Sequence, residues 1–327
     1  MSTGTSLSPA RRVVQSLDGV LRARWSVAAL GCIILLVALM WMSGQNGLGI
    51  FAANTHLAAF VAICAIGQML VITTGDGAID LSIPYGISLS VYVTTILQQS
   101  ENSRLPWAIA VSLLIGLAVG LFNGFLVTVL RIPAMVGTLA VGFVLDSIVN
   151  LLSNVPGRGQ ASPALQAIAK GDVLGVPIVV VIAVIIAVAA AVFIWRSVPG
   201  LRIMATGQND RAAQVAGLNP GTARMLAFAI SGVLAALTGV LLCGFSNGAF
   251  LGIGSTYLVA SLAAVVIGGT LIAGGKPTVI GCLCGALFMT LIVTLNNTLA
   301  VPVGVRWIVQ GAVIIAALAL PRRGPRP

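Results

Sequence analysis

Few residues of this chain could do chemistry. Seven are acidic (Asp18, Asp76, Asp80, Glu101, Asp146, Asp172 and Asp210), and His56 is the single histidine. One histidine excludes a two-histidine metal site. A Ser-His-Asp set would have to use His56 at the end of an apolar run, and the chain has no GxSxG elbow. The five cysteines, Cys32, Cys64, Cys243, Cys282 and Cys284, all lie inside apolar runs. Cys282 and Cys284 point to different faces of a helix, so neither a disulfide framework nor a metal site follows. GGTLIAGGKP, residues 268–277, resembles a phosphate loop but breaks the GxxxxGK[ST] pattern twice: Thr270 stands five before Gly275, and Pro277 follows Lys276. The expectation is a chain that binds no cofactor or metal of its own and catalyses no covalent step.

Two carboxylates need another explanation. Asp76 and Asp80 occur in TTGDGAIDLSIP, residues 73–84, with Gly75, Gly77 and Pro84 around them and apolar runs on both sides. A charged side chain at mid-bilayer costs about 2.5–3.5 kcal/mol on insertion scales. Glycine and proline free backbone groups that must then be buried in protein or line a cavity. The segment therefore reads as broken or re-entrant. Asp80 and Ser82 could cap the helix that follows, the segment could gate a pathway, or the carboxylates could carry protons. Asp146 has no basic neighbour in its own run, so it faces water near one end or pairs across helices.

The elements that must position these residues follow from composition. The chain has 327 residues and a mass of 33.3 kDa, with 58% apolar and 7% charged residues and a mean hydropathy of +1.09. Soluble domains carry about 25% charge. A soluble enzyme, a disordered chain and a nucleic-acid binder are excluded, and long apolar runs rather than short alternating ones exclude a transmembrane β-barrel. Runs at about 25–43, 57–74, 80–98, 107–130, 133–153, 177–195, 225–243, 256–273, 278–298 and 305–321 predict an all-α membrane protein of about ten transmembrane helices. The net charge of +10 is spread in ones and twos between these runs, which is a topology signal and not a nucleic-acid footprint. With the N-terminus inside, Arg11, Arg12, Arg22, Arg24, Arg131, Arg196, Arg202, Arg211, Arg224, Lys276, Arg322, Arg323 and Arg326 fall on the cytoplasmic side. Only Arg104, Arg158, Lys170 and Arg306 fall outside. Residues 1–24 and 322–327 are then cytoplasmic tails around a transmembrane domain at 25–321. The polar residues 1–24 precede a full-length run with no evident cleavage site, so the first helix should remain in the mature protein. Trp25, Trp41, Trp107, Trp195 and Trp307 stand at span ends, as an interfacial belt requires.

Helix packing and a docking segment are also legible. Gly116, Gly120 and Gly124, and Gly281 and Gly285, recur at i, i+4 and mark close helix contacts. The polar stretch 196–224 is longer than a plain connector. Asn209 or Asp210 can start a helix in it and Gly217 can end it. Two turns are too short to stand alone in water. The small side of Ala212, Ala213 and Ala216 suits a groove on a partner.

Five motifs in order resemble the permease subunits of ribose-type sugar ABC importers, over about residues 60–320. They are GAIDLSIPYG (77–86), NGFLVTVLRIPAMVGTLA (123–140), ATGQNDRAAQVAGLN (205–219), LAAVVIGGTLIAGGKPTVIGCLCGAL (262–287), and NN (296–297) followed by WIVQGAVII (307–315). Ala78 and Pro84 stand where the family commonly has glycine, and Ala134 where it has phenylalanine. The resemblance implies a type II-like importer bundle in the bacterial inner membrane that translocates a monosaccharide such as ribose. It implies a second permease as homodimer or heterodimer partner, a periplasmic sugar-binding protein, and a separate cytoplasmic ATPase that holds the ATP and Mg. The coupling residues would be Gly207, Asn209, Asp210, Arg211, Ala212, Ala213 and Gly217. Asp76, Asp80, Ser82, Asn123, Asn296 and Asn297 would line the pathway or gate. The competing expectation is an ion-coupled secondary transporter using Asp76 or Asp80, although no further carboxylate pairs with these two at helical spacing along any span.

Overall fold

The computed structural model describes residues 25–44, 46–155 and 159–319. The expected tails, 1–24 and 322–327, lie outside the described residues. The helices are α1 (Ser26–Ser43), α2 (Gly47–Thr73), α3 (Ile83–Gln98), α4 (Leu105–Thr128, preceded by a 3-10 turn), α5 (Ala134–Ser153), α6 (Pro163–Lys170), α7 (Ile178–Arg196), α8 (Val198–Gln208), α9 (Asp210–Val215), α10 (Pro220–Ser246), α11 (Thr256–Ile267), α12 (Val279–Thr298) and α13 (Val303–Ala319). A two-residue hairpin, β1 (Asp172–Val173) and β2 (Val176–Pro177), joins α6 to α7. Each of the ten apolar runs carries a helix. Seven of those helices are long and apolar enough to cross a membrane: α1, α2, α4, α5, α7, α10 and α12.

Two of the other three, α3 and α11, are shorter for local reasons. α3 has 16 residues and starts at Ile83, not at Asp80 as the hydropathy run suggested, because Pro84 sets the first turn and residues 74–82 are non-helical. α11 has 12 residues and stops at Ile267, since Gly268, Gly269, Gly274 and Gly275 follow it in a folded loop. α2 begins ten residues earlier than its run. Its polar first turns are satisfied internally: Asn54 Nδ2 donates to the Ile50 carbonyl at 2.8 Å, Thr294 Oγ1 donates to Asn54 Oδ1 at 2.6 Å, and His56 Nε2 bonds the Ala169 carbonyl at 2.9 Å. The lone histidine thus ties α2 to the end of α6.

α2 and α10 form the buried centre. Gly67 on α2 packs on Ser231 of α10, and His56 and Phe60 lie against Phe245, so the two helices are antiparallel. α4 crosses α10 through the glycine stripe: Cβ atoms at Gly116, Gly120 and Gly124 would meet Ala236, Phe228 and Met225 in turn. Gly281 and Gly285 make the matching seam against Gly268 and Ala264 at the α11–α12 crossing. Both glycine series are therefore backbone-to-backbone contacts.

The 27-residue helices α2 and α10 end alike. After α2 the chain breaks at 74–82 and restarts as the short α3; after α10 it breaks at 247–255 and restarts as the short α11. Because α2 and α10 run in opposite senses, the breaks enter the bundle from opposite ends. The second break reaches α3 inside it, where the Gly254 N–H donates to Ser88 Oγ at 3.1 Å. Ser88 is next to Ile87, which packs on Gly239 of α10, about 28 Å along that helix at 1.5 Å per residue. Two half-length helices starting deep in the bundle are the usual way irregular backbone is placed at membrane depth.

Candidate functional site

Asp80 is the centre of a buried polar knot. Its side chain is 2% exposed. Oδ1 accepts from the Ser82 N–H at 3.0 Å and from Ser82 Oγ at 2.6 Å, and Oδ2 accepts from Ser231 Oγ on α10 at 2.8 Å. Asn123 of α4, 1% exposed, donates Nδ2 to Ser82 Oγ at 2.8 Å. The Leu81 N–H donates to Thr138 Oγ1 of α5 at 3.0 Å. The Gln68 amide of α2, oriented donor to acceptor, gives Nε2 to the Asp80 carbonyl at 3.1 Å and takes the Asp80 N–H at 3.3 Å. One short segment is thereby tied to α2, α4, α5 and α10. Its backbone groups, unpaired by any helix, are paired by side chains of α2 and α5, while α4 and α10 hold its Ser82 and Asp80 side chains.

The knot clarifies which role Asp80 and Ser82 play. Ser82 occupies the position before α3, but its side chain caps no helical N–H. Asp80 instead closes a local turn through Ser82 and holds the segment to α10. No cation lies within ion-pair distance of it among the described residues; the ion pairs of this region belong to Asp76 and Asp210.

Asp76 lies at the other end of the segment and outside the bundle. Its φ is +56° and its side chain is 82% exposed. It shares Arg224, in the first turns of α10, with Asp210 at the start of α9: Arg224 Nη2 is 3.7 Å from Asp76 Oδ2 and 3.1 Å from Asp210 Oδ1. The guanidinium is largely covered, at 15% exposed. These residues line a cleft of about 1090 Å³ with Arg131, Gln214 and Asn219.

A glycine junction makes the second connection. Gly75, φ +80°, packs on Gly207 at the end of α8, with an added Cβ 3.0 Å from the Gly207 Cα. Gly274 lies on Gly75, and the Gly275 N–H donates to the Thr73 carbonyl at 2.9 Å. GGK in 274–276 thus fails as a phosphate loop because its glycines are spent on backbone contact. The end of α2, the end of α8 and the 268–278 loop form one unit at the root of the Asp80 segment.

α9 is built as its sequence suggested, with one correction. Asn209 is the cap, its Oδ1 accepting from the Ala212 N–H at 3.0 Å, and Gly217 with φ +78° ends the helix. Leu218 N–H donates back to the Ala213 carbonyl at 3.0 Å. Of the expected outward trio of alanines, Ala212 and Ala216 face outward and Ala213 does not. Ala213 is 5% exposed and seats α9 on the body, while Arg211, Ala212, Gln214, Val215 and Ala216 are exposed, Val215 at 91%. Sequence reading also missed α8, which Ser197 caps by accepting from the Gly200 N–H at 3.1 Å.

Of the expected pathway residues, Asp80, Ser82 and Asn123 come together, and Asp76 stands at the same segment's outer end. Asn296 and Asn297 do not join them. They end α12 at the opposite end from its Gly268–Gly281 contact, and Asn297 Oδ1 accepts from Arg306 Nη1. Gln68, Thr138, Arg224 and Ser231 were missed. Gln68 had a readable signal, an amide deep within the apolar run 57–74.

Comparison with known proteins places this architecture. Residues 50–318 match the family model for the permease component of branched-chain amino acid transport systems. The chain belongs to this family of ABC-transporter permeases. It is 30% identical to a probable ABC transporter permease protein, y4mJ, of Sinorhizobium fredii, over 94% of this chain and 93% of that one. It is 31% identical to the ribose import permease protein RbsC of Escherichia coli K12, over 79% and 80%, and 30% identical to the fructose import permease protein FruF of Bifidobacterium longum, over 82% and 78%. A metal-chelate type ABC transporter solved in an inward-facing conformation shares the fold, with a TM-score of 0.50 at 13% identity, covering 93% of this chain and 98% of that one. The permease is a multi-pass inner-membrane subunit and not an enzyme; ATP hydrolysis in such systems belongs to a separate subunit.

Proposed function

We propose that the chain is one of two permease halves of an ATP-driven importer for a monosaccharide or a closely related polyol. It would cross the membrane ten times with both tails in the cytoplasm, α3, α11 and α13 completing the seven longer spans. A second permease, identical or related, would close the pathway. A periplasmic binding protein would deliver substrate, and a cytoplasmic ATPase would dock on α9. The relatives named for ribose and fructose support the substrate class.

The observation that carries the reading is the connection of α9 to the Asp80 segment. A helix of six residues is too short to persist in water unless it is held. Here it is held by Ala213, by Arg224 and by the glycine junction, with its remaining face open. A push on that face reaches Asp76 through Arg224 and Gly75 through α8, and both residues lie on the segment that Asp80 anchors within the bundle. Asp76, Asp80, Ser82 and Asn123 thus act as a gate whose position the ATPase sets. Asn296 and Asn297 would act at the opposite mouth.

The test is uptake into proteoliposomes holding the permease with its cognate ATPase, supplied with binding protein outside. Uptake should require enclosed ATP and survive a protonophore. Uptake that continues without ATP and collapses with the protonophore would refute the proposal and favour ion coupling at Asp76 or Asp80.

A further inference from the structure

α5 differs from the other membrane-crossing helices at the bundle surface. The exposed residues of α7 between its ends are Val181, Val184, Ile185, Val188, Ala189 and Val192, all apolar, and α1 and α4 are alike in this. The exposed residues of α5 include Asp146, Ser147 and Asn150. Asp146 and Asn150 are one turn apart on one line of the helix. The Asn150 amide donates to the Asp146 carbonyl at 2.9 Å and to its carboxylate Oδ2 at 3.4 Å. No cation pairs with Asp146 among the described residues.

Depth decides what this face meets. Asp146 stands seven residues before the end of α5, about 10 Å along the helix. Aspartate has a single methylene and cannot snorkel that far, as lysine or arginine could. A carboxylate turned to lipid at that depth is disfavoured, so the face lies against water or protein. One turn below Asp146, the Phe143 ring lies 6.3 Å from the ring of Tyr85, in the first turn of α3, with the planes tilted 58°. Tyr85 itself packs on Gly142. Aromatic faces cover the apolar C–H side of a sugar ring, while a carboxylate and an amide above them bond its hydroxyls. Tyr85 also stands on the same first turn that the Asp80 knot positions.

We propose that Asp146 and Asn150, with Phe143 and Tyr85 beneath them, form a polyol-binding subsite on the water-filled wall of the translocation pathway. This rests on the permease reading above. The subsite lies on the far side of the Asp80 segment from α9, so a solute leaving it must pass that segment to enter the cell.

The test uses the full chain in cell membranes, with Ser147→Cys, exposed beside Asp146 and outside the four subsite residues, and, as a lipid-facing control, Val184→Cys. The probe is a charged, membrane-impermeant methanethiosulfonate added from outside. The Ser147→Cys variant should label at least about tenfold faster than the Val184→Cys control, and saturating D-ribose, D-fructose or D-xylose should slow it. Labelling no faster than in the control would overturn the proposal, and so would fast labelling that none of the sugars slows. Asp146→Ala added to Ser147→Cys should remove the protection by sugar, and protection that persists undiminished would overturn the role of Asp146. Pull-down of the cognate ATPase by the unsubstituted permease is scored separately. Lost pull-down with sugar-protected labelling of Ser147→Cys would sink the importer reading and leave this face water-lined. Normal pull-down with an unlabelled Ser147→Cys variant would sink the subsite alone.

Discussion

Replacing Ser231 by alanine removes one hydroxyl and nothing else from the Asp80 knot. Ser231 Oγ is the donor to Asp80 Oδ2 at 2.8 Å, and Ser231 is 1% exposed, so no water takes its place without moving the segment. Losing one bond to a buried carboxyl group costs about 1–3 kcal/mol. If that energy is what holds residues 74–82 against α10, the open fraction of the segment rises about 5- to 150-fold. Amide hydrogen exchange reads this directly. The N–H groups of Ala78, Leu81 and Ser82, bonded to the Gly75 carbonyl, Thr138 Oγ1 and Asp80 Oδ1, should lose protection by that factor. The helical amides of α4 and α10 should not change. Asp80→Asn makes the contrasting variant, since its Oδ1 still accepts from Ser82 and its amide can donate to Ser231, so protection should fall less than in Asp80→Ala. Unchanged protection in Ser231→Ala, or a loss spread evenly over the bundle, would refute the anchoring role. Asp80→Asn with full protection but no transport would show that the charge, not the anchor, matters.

Gly120→Leu should destabilise the permease by about 1–3 kcal/mol or more, read as a lower melting temperature in detergent, because an added Cβ already meets Phe228 and Ala229. Gly49→Leu, with nothing within 4 Å, should leave that temperature unchanged. Arg224→Gln removes both carboxylate contacts of α9's tether and should weaken it by about 1 kcal/mol, given the exposure of its partners. Limited trypsin cleavage after Arg211 should then be about fivefold faster, and an unaltered rate would count against the tether. His56→Ala should loosen α6, whose last turn it bonds, raising exchange at Ala169 and Lys170 while leaving α12 protected.

Much of the fold is legible in the sequence because each of the ten apolar runs carries a helix, and because glycine at i, i+4 within such a run marks a close helix contact. What hydropathy misreads is the ends. The stretch Asn54-Thr55-His56 looks like a loop, but Thr294 and the Ala169 carbonyl satisfy it across the bundle, so α2 runs on through it. α6 and α8 are too short to announce themselves, and they exist because Ser162 and Ser197 cap them and because α10 and α7 give them something to pack on. The broken segment is visible in Gly75, Gly77 and Pro84, and Asp80, Ser82 and Asn123 do meet. Their partners are not visible, since Ser231 and Thr138 are small hydroxyls of the kind that sit harmlessly in many spans. Arg224 looks like one more inside-positive charge until α9 is placed beside it. Ala213 is turned inward for the reason that makes α9 stable: a two-turn helix must bury one side.

Docking of the ATPase on the open face of α9 is tested most directly at Val215, which is 91% exposed and makes no contact the permease needs. Val215→Glu, in the complex reconstituted with binding protein and ATPase, should abolish co-purification of the ATPase and its stimulation by loaded binding protein while leaving the permease's melting temperature unchanged. A Val215→Glu complex that still assembles and couples at the unsubstituted level would contradict it.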